Sequence, residues 1–151
     1  MIVYRLSKAQ YCRDLTGLGA KLYGGRWNMV GTSCVYTSSS RALALLEYSV
    51  NVKVEFIPER LFFTLIEIDD LEVEIIDSSD LPKNWASVPA DSTTKIFGSE
   101  KLDNTESSIL RVPSVIIKNE FNYLLNPLKL NLQNTKIIDV ELFEYDFRLK
   151  S

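Results

Sequence analysis

The sequence contains no histidine in its 151 residues. That absence removes Ser-His-Asp triads, Cys-His nucleophiles, His-ligated zinc and imidazole general bases together, so any chemistry must proceed without imidazole. Cysteine is nearly as scarce. Cys12 and Cys34 stand alone, with neither the paired spacing of a metal site nor the number a disulfide framework needs, and both read as structural thiols. Neither sign of charge dominates: Lys and Arg are scattered and the formal charge is −3, so the basic stripe of a phosphate-backbone binder is missing and no direct nucleic-acid binding is expected. No apolar run approaches the roughly 18 residues of a membrane-crossing helix. Met1-Ile2-Val3-Tyr4-Arg5 also lacks the charged segment, apolar run and cleavage site of a secretion signal. The expectation is a soluble cytoplasmic protein without membrane contact. Only six Gly and five Pro accompany 46% hydrophobic and 11% aromatic residues, the composition of an ordered globular chain, and there is no internal repeat or low-complexity segment. The length suits a single domain over 1–151.

Along the chain, Ile2 to Leu6 reads as a short strand, Thr16 to Ala20 as a loop, and Lys21 to Trp27 and Ser33 to Thr37 as extended pieces. Ser38-Ser39-Ser40 offers cap residues ahead of Arg41 to Tyr48, a run of good helix formers. Leu61 to Ile68 reads as a buried strand and Asp77 to Asp91 as loop, with Asp91-Ser92-Thr93 capping a helix to about Leu102. Ile109 to Ile117 reads as a strand bent or broken at Pro113, and Phe121 to Leu125 and Glu144 to Leu149 as further strands. Strands outnumber helices without alternating regularly with them. That pattern predicts an α+β fold with a mostly antiparallel or mixed sheet and flanking helices.

Against this background one segment stands out. Gly24-Gly25-Arg26-Trp27-Asn28 is followed by Tyr36 and then by Glu47, placing a cation, a phenol and a carboxylate among apolar or small residues. Glu47 shares a helix face with Leu43 and Val50 and is the only charged residue between Arg41 and Lys53. A carboxylate on a largely buried face is costly unless paired or used; on a half-exposed face it is merely solvated. Arg26 sits beside glycines that let a ligand approach the backbone, and its guanidinium fork suits phosphate, although an ion pair or a cation–π contact with Trp27 serves equally well on local grounds. Tyr36 and Ser114 are unremarkable alone. The acidic run Glu67, Asp69, Asp70, Glu72 and Glu74 alternates with apolar residues as the solvated face of a strand would, and no metal site is expected there. Gly17-x-Gly19 places Leu22 where a dinucleotide-binding loop needs its third glycine, so that motif fails. No Walker loop, metalloprotease helix or nucleophile elbow is present.

Tyr4-Arg5-Leu6, Gly19-Ala20, Tyr23-Gly24-Gly25-Arg26-Trp27-Asn28, Gly31-Thr32, Val35-Tyr36-Thr37, Leu46-Glu47, Leu110-Arg111-Val112-Pro113-Ser114, Asn122-Tyr123-Leu124-Leu125-Asn126-Pro127 and Phe147-Arg148-Leu149 occur in this order over nearly the whole chain. Together they resemble the RES domain family, toxins of bacterial type II toxin–antitoxin pairs whose antitoxins carry an Xre-type DNA-binding domain. The resemblance implies an ADP-ribosyltransferase-like fold and consumption of NAD+ by phosphorolysis or hydrolysis, or transfer of ADP-ribose to protein. The arginine, glutamate and serine that name the family map onto Arg26, Glu47 and Ser114, with Tyr36 beside them. On this mapping these four are the catalytic residues, and Arg26, Trp27, Tyr36 and Ser114 contact NAD+. Ser107 and Ser108 lie near enough to Ser114 to be mistaken for it. Lys129 stands where many members carry histidine. The resemblance further implies no resident cofactor and no metal, NAD+ as substrate, phosphate as a co-substrate, and an Xre-type antitoxin as partner, with self-assembly left open. A module that binds nucleotide or partner without turnover is the competing reading.

Such chemistry tolerates the lack of histidine. Cleavage between ribose and nicotinamide expels a neutral pyridine, so no acid need protonate the leaving group; positive charge develops on the ribose, and a nearby carboxylate is the main requirement.

Overall fold

The structure is a computed structural model that describes residues 1–104, 106–131 and 133–150. The first strand, β1 (Ile2–Ser7), lies inside a seven-stranded sheet and is paired antiparallel on both sides. One neighbour is the short β2 (Val35–Ser38), the other the long β3 (Arg60–Glu67), whose register runs from Ile2↔Glu67 to Ser7↔Phe62. With β4 (Val73–Ile75), β5 (Ile109–Pro113), β6 (Phe121–Leu125) and β7 (Lys136–Glu144) the strand order is β4-β5-β6-β2-β1-β3-β7. Only β4 and β5 pair in parallel, so the α+β expectation with a mostly antiparallel sheet holds. Among the described residues no helix is long and apolar enough to cross a membrane.

Three helices pack around the sheet. The middle one, α2 (Arg41–Asn51), begins where the serine run predicts: Ser40 Oγ accepts from the Leu43 N–H at 3.1 Å, satisfying one of the open amides of the first turn. The last, α3 (Ser92–Asn104), starts beside Asp91, whose carboxylate accepts from the Thr93 N–H at 2.8 Å. The first, α1 (Leu18–Tyr23), corrects the sequence reading, which makes Thr16 to Ala20 a loop and Lys21 to Trp27 extended. Glycine brackets this helix on both sides: Gly17 precedes it at φ +68°, against the Cys34 backbone, and Gly24 ends it at φ +73°. Both positions lie in the left-handed region that other residues enter only at a cost.

The C-terminal reading also needs correction. The strand expected over Glu144 to Leu149 is instead β7, lying earlier, and the chain then turns through a 3-10 segment at Phe147–Leu149. β7 escapes a period-2 reading because it is a half-exposed edge carrying Lys136, Asp139, Glu141 and Glu144. β5 stops at Pro113 rather than reaching Ile117, since the Ile116 and Ile117 N–H groups turn in to Ser114 Oγ. The acidic stretch is divided between the end of β3, a 3-10 turn at Asp70–Glu72 and β4.

Side-chain alternation separates the two faces of the sheet. On one, Val3, Val35, Ile66, Ile68, Ile109, Tyr123 and Leu125 form a single apolar cluster. The other carries two: Leu6, Leu61, Phe63 and Leu65 with Ala44 of α2, and Leu110, Val112 and Leu124 with Trp27 and Leu102 of α3. Between those two clusters β2 and β6 place polar residues, Ser38 directly opposite Asn122. That polar seam is where the candidate site lies.

Candidate active site

Glu47 projects from α2 into the seam. Its Oε1 accepts from Ser114 Oγ at 3.0 Å and from Asn122 Nδ2 at 2.6 Å, so a half-buried carboxylate is paired by hydrogen bonds from two other parts of the chain. Oε2 accepts no hydrogen bond from the described residues. Each donor is itself fixed. Ser114 Oγ accepts from the N–H groups of Ile116 and Ile117 at 3.1 and 3.2 Å, and Asn122 Oδ1 accepts from Ser38 Oγ at 2.7 Å. Of the neighbouring serines, Ser114 is the one that meets Glu47, whereas Ser108 turns elsewhere and donates to Glu72 at 2.8 Å.

Arg26 approaches from the turn after α1. Burial holds its guanidinium below the ordinary arginine range, and the nearby Glu47 carboxylate and Tyr36 phenol act against that shift. Arg26 Nη1 donates to the backbone carbonyls of Trp85 at 2.9 Å and Ser87 at 2.7 Å, which ties the β4–α3 loop to the arginine. Its Nε and Nη2 make no hydrogen bond to the described residues.

The turn carrying Arg26 is built around Asn28, which is fully buried. Its Nδ2 donates to the carbonyls of Ala20, Met29 and Thr32, while its Oδ1 accepts from the Tyr36 hydroxyl at 2.6 Å. The same hydroxyl accepts from the Trp27 N–H at 3.0 Å, and burial pushes the phenol well above its ordinary range. Tyr36 thus fastens the turn from within. Gly25 permits this: a Cβ there would lie 2.6 Å from the Tyr36 hydroxyl. From the far side α3 lies against the Trp27 backbone at Gly98, and Ser99 Oγ accepts from the Met29 N–H at 2.8 Å.

Of the five residues that the sequence singles out, Ser114 donates to the Glu47 carboxylate, Arg26 lies close enough for Glu47 and Tyr36 to act on its charge, and Tyr36 fastens the turn that carries Arg26. The fifth, Trp27, has its indole in the core at 3% exposed, with ring centroids 6.1 Å from Trp85 and 6.5 Å from Phe97. Only its backbone reaches the Tyr36 hydroxyl. Lys129 lies past the far end of β6 and donates to the carbonyls of Leu102 and Asp103, both at 3.1 Å, closing the C-terminal end of α3. Cys34 is buried, which pushes its thiol up, in keeping with a structural role. Sequence reasoning assigns no site role to Asn122 or Asn28 and offers Ser38 only as a helix cap, a part that Ser40 plays instead. An asparagine inside an apolar strand is the available signal, since a buried amide must be satisfied by something.

Two surface clefts of about 410 and 420 Å³ lie elsewhere, one beside Met1, Glu67, Asp69 and Asp70, the other beside Glu74, Phe97 and Glu100. Neither includes a candidate residue, and Asp70 is already occupied by the N-terminal ammonium at 2.9 Å. Among the described residues no group of three metal-ligating side chains gathers. A pinned carboxylate facing an arginine marks the site.

Comparison with known proteins gives a consistent result. The RES domain model matches residues 2–147. A Toxin Res of Yersinia enterocolitica is 38% identical over 99% of this chain and all of its own length. A Prs ADP-ribosylating toxin of Sphingobium sp. is also 38% identical, over 90% of this chain and 86% of that protein. Among solved structures, the crystal structure of the M. tuberculosis MbcT-MbcA toxin-antitoxin complex contains a chain that matches with a TM-score of 0.75 at 16% identity. The match covers 95% of this chain and 84% of that one.

Proposed function

The chain belongs to the RES domain family, the toxins of toxin–antitoxin systems, and on that premise we propose that it consumes NAD+ by cleaving the bond between nicotinamide and ribose. The observation that carries this reading is the Glu47 carboxylate, held through Oε1 by Ser114 and Asn122, with Oε2 accepting no hydrogen bond from the described residues and Arg26 nearby. Bond cleavage leaves an oxocarbenium-like ribose and a neutral nicotinamide, so the acceleration rests on a preorganised negative charge rather than on an acid. Glu47 Oε2 supplies that charge and holds a ribose hydroxyl. Arg26 binds the pyrophosphate or an incoming phosphate with the N–H groups not engaged by Trp85 and Ser87. Tyr36 supports the arginine turn and Ser114 orients Glu47. Phosphate or water completes the reaction at the ribose carbon.

Nicotinamide release from NAD+ tests this. Glu47→Gln and Arg26→Ala are each expected to lose about 10²–10³ in rate, the scale for removing one electrostatic stabiliser of a transition state. Near-parental turnover in both would remove the assignment. Product identity in phosphate buffer against phosphate-free buffer distinguishes phosphorolysis from hydrolysis.

The name of the Sphingobium relative favours a second reading, transfer of ADP-ribose to a protein. Incubation with NAD+ labelled on the adenylate separates the two, because transfer leaves label on protein. The partner we propose is an Xre-type antitoxin that covers the seam; the toxin–antitoxin complex of matching fold supports an antitoxin partner. Expression of the chain alone should arrest growth and co-expression with the neighbouring antitoxin should restore it; equal growth in both cases would count against the pairing.

A further inference from the structure

We propose that Asn122, locked by Ser38, is a positioning residue that fixes the rotamer of Glu47. This inference rests on the NAD+-cleaving reading above. Ser38 and Asn122 are directly opposed in the β2–β6 register, so their side chains leave the same face of the sheet a few ångströms apart. Ser38 Oγ donates to Asn122 Oδ1 at 2.7 Å, and with its oxygen so engaged the amide can present only its NH₂ to Glu47. That Nδ2 to Oε1 contact, 2.6 Å, is shorter than the Ser114 contact to the same atom, 3.0 Å. Ser114 is constrained in the same sense, since two backbone N–H groups occupy its lone pairs and leave its proton for Glu47.

The consequence is a one-sided cradle. Among the described residues Oε1 meets two donors, one from the segment after β5 and one from β6, which fixes where that oxygen points. The carboxylate plane is fixed by two strands and the segment after β5, leaving Oε2 as the oxygen available to substrate. The charged group facing Glu47 is Arg26 from the Gly24–Asn28 turn, while β2 and β6 present Tyr36, Ser38 and Asn122. An amide serves here better than a hydroxyl. Its planar, two-ended geometry joins the hydroxyl on β2 to the carboxylate on α2, and rotation by half a turn would set oxygen against oxygen at Glu47 and break that bond.

The test measures kcat and KM for NAD+ separately, with a pH profile, in the parent, Asn122→Ala, Asn122→Asp and Ser38→Ala. For Asn122→Ala the expected result is a loss of about 10² in kcat, the scale for a misplaced reacting group, with KM changed less than about threefold. Asn122→Asp sets a second carboxylate against Glu47 and should move the acid limb of the kcat profile to higher pH. Ser38→Ala frees the amide without removing it, so a smaller loss of kcat is expected. If Asn122→Ala does not fold, Ser38→Ala and the Asn122→Asp profile still decide the matter. A role confined to folding would lower the melting temperature and leave per-molecule kcat and the pH profile unmoved, which would overturn the inference. Failure of the underlying reading looks different: the parent would release no nicotinamide, or Glu47→Gln would retain full turnover.

Discussion

Gly98→Ala tests how the arginine turn is held in place. Gly98 lies inside α3, where replacing glycine by alanine ordinarily gains about 1 kcal/mol of helix stability. Here the added Cβ would fall 1.9 Å from the Trp27 carbonyl oxygen, 2.7 Å from its carbon and 2.9 Å from its Cα. These are backbone atoms, so no side-chain rotation relieves the overlap. Reaching even 3.0 Å from the oxygen requires about 1.1 Å of relative movement between α3 and the turn. The turn has little room to retreat, because the Trp27 indole is 3% exposed between Trp85 and Phe97. Overpacking of this kind costs about 1–3 kcal/mol and occasionally more, and displacement of three packed aromatic rings belongs at the upper end. After the helix gain is offset, a net loss of about 1–3 kcal/mol is expected, or about 3–10 °C in melting temperature for a domain of this size. Gly19→Ala is the control. Gly19 is also helical, but nothing lies within 4 Å of its Cβ position, so that change should stabilise by about 0.4–1 kcal/mol. Thermal unfolding followed by circular dichroism measures both, and nicotinamide release measured alongside should fall with Gly98→Ala because Arg26 moves with Trp27. A Gly98→Ala protein as stable as its parent would refute the close approach of α3 to the turn.

Three further outcomes follow from contacts described above. Tyr36→Phe deletes the hydroxyl shared by the Trp27 N–H and Asn28 Oδ1 and leaves both buried without it, a loss of about 1–3 kcal/mol measurable by urea denaturation. Lys129→Ala removes two donations to the last carbonyls of α3 and should cost about 1 kcal/mol in the same assay while nicotinamide release stays unchanged, since Lys129 lies outside the seam. The Asp146 carboxyl is drawn down to about 2, chiefly by hydrogen bonding from the Arg148 side chain. Its folded value is depressed, so its contribution to stability is complete above about pH 4 and disappears as pH falls toward 2. Stability of Asp146→Asn should therefore lose part of the acid dependence seen in the parent between those limits.

Features set by local physics are readable from the residues alone. Ser40 before a run of helix formers, Asp91 before α3, and the apolar blocks Leu61 to Ile68 and Phe121 to Leu125 all fall near where the sequence places them. The helix α1 is hidden because its two glycines read as loop signals, although their left-handed φ values in fact bound a helix. β7 is hidden because an edge strand bears charge on positions a central strand fills with apolar residues. For the site, residue types single out Arg26, Tyr36 and Glu47 and the family resemblance adds Ser114, but the contacts that hold Glu47 span 67 and 75 residues, which no local pattern encodes. Trp27 is legible as important and misplaced as to purpose, since an aromatic beside glycines suits a ligand wall as well as a core. Asn122 escapes notice because its role exists only once the β2–β6 register has set Ser38 against it.

The loop between β4 and α3 accepts hydrogen bonds from Arg26 through main-chain oxygens, those of Trp85 and Ser87. A carbonyl oxygen carries no side-chain identity. Lys83, Asn84 and Ala86 are exposed, so their side chains take no part in the grip on the arginine. Insertion or deletion disturbs that grip, because it slides a different pair of oxygens past the guanidinium. Two kinds of change therefore differ in consequence for this loop: a replaced side chain leaves the carbonyls in place, whereas a changed length uncouples them from a side chain 59 positions earlier.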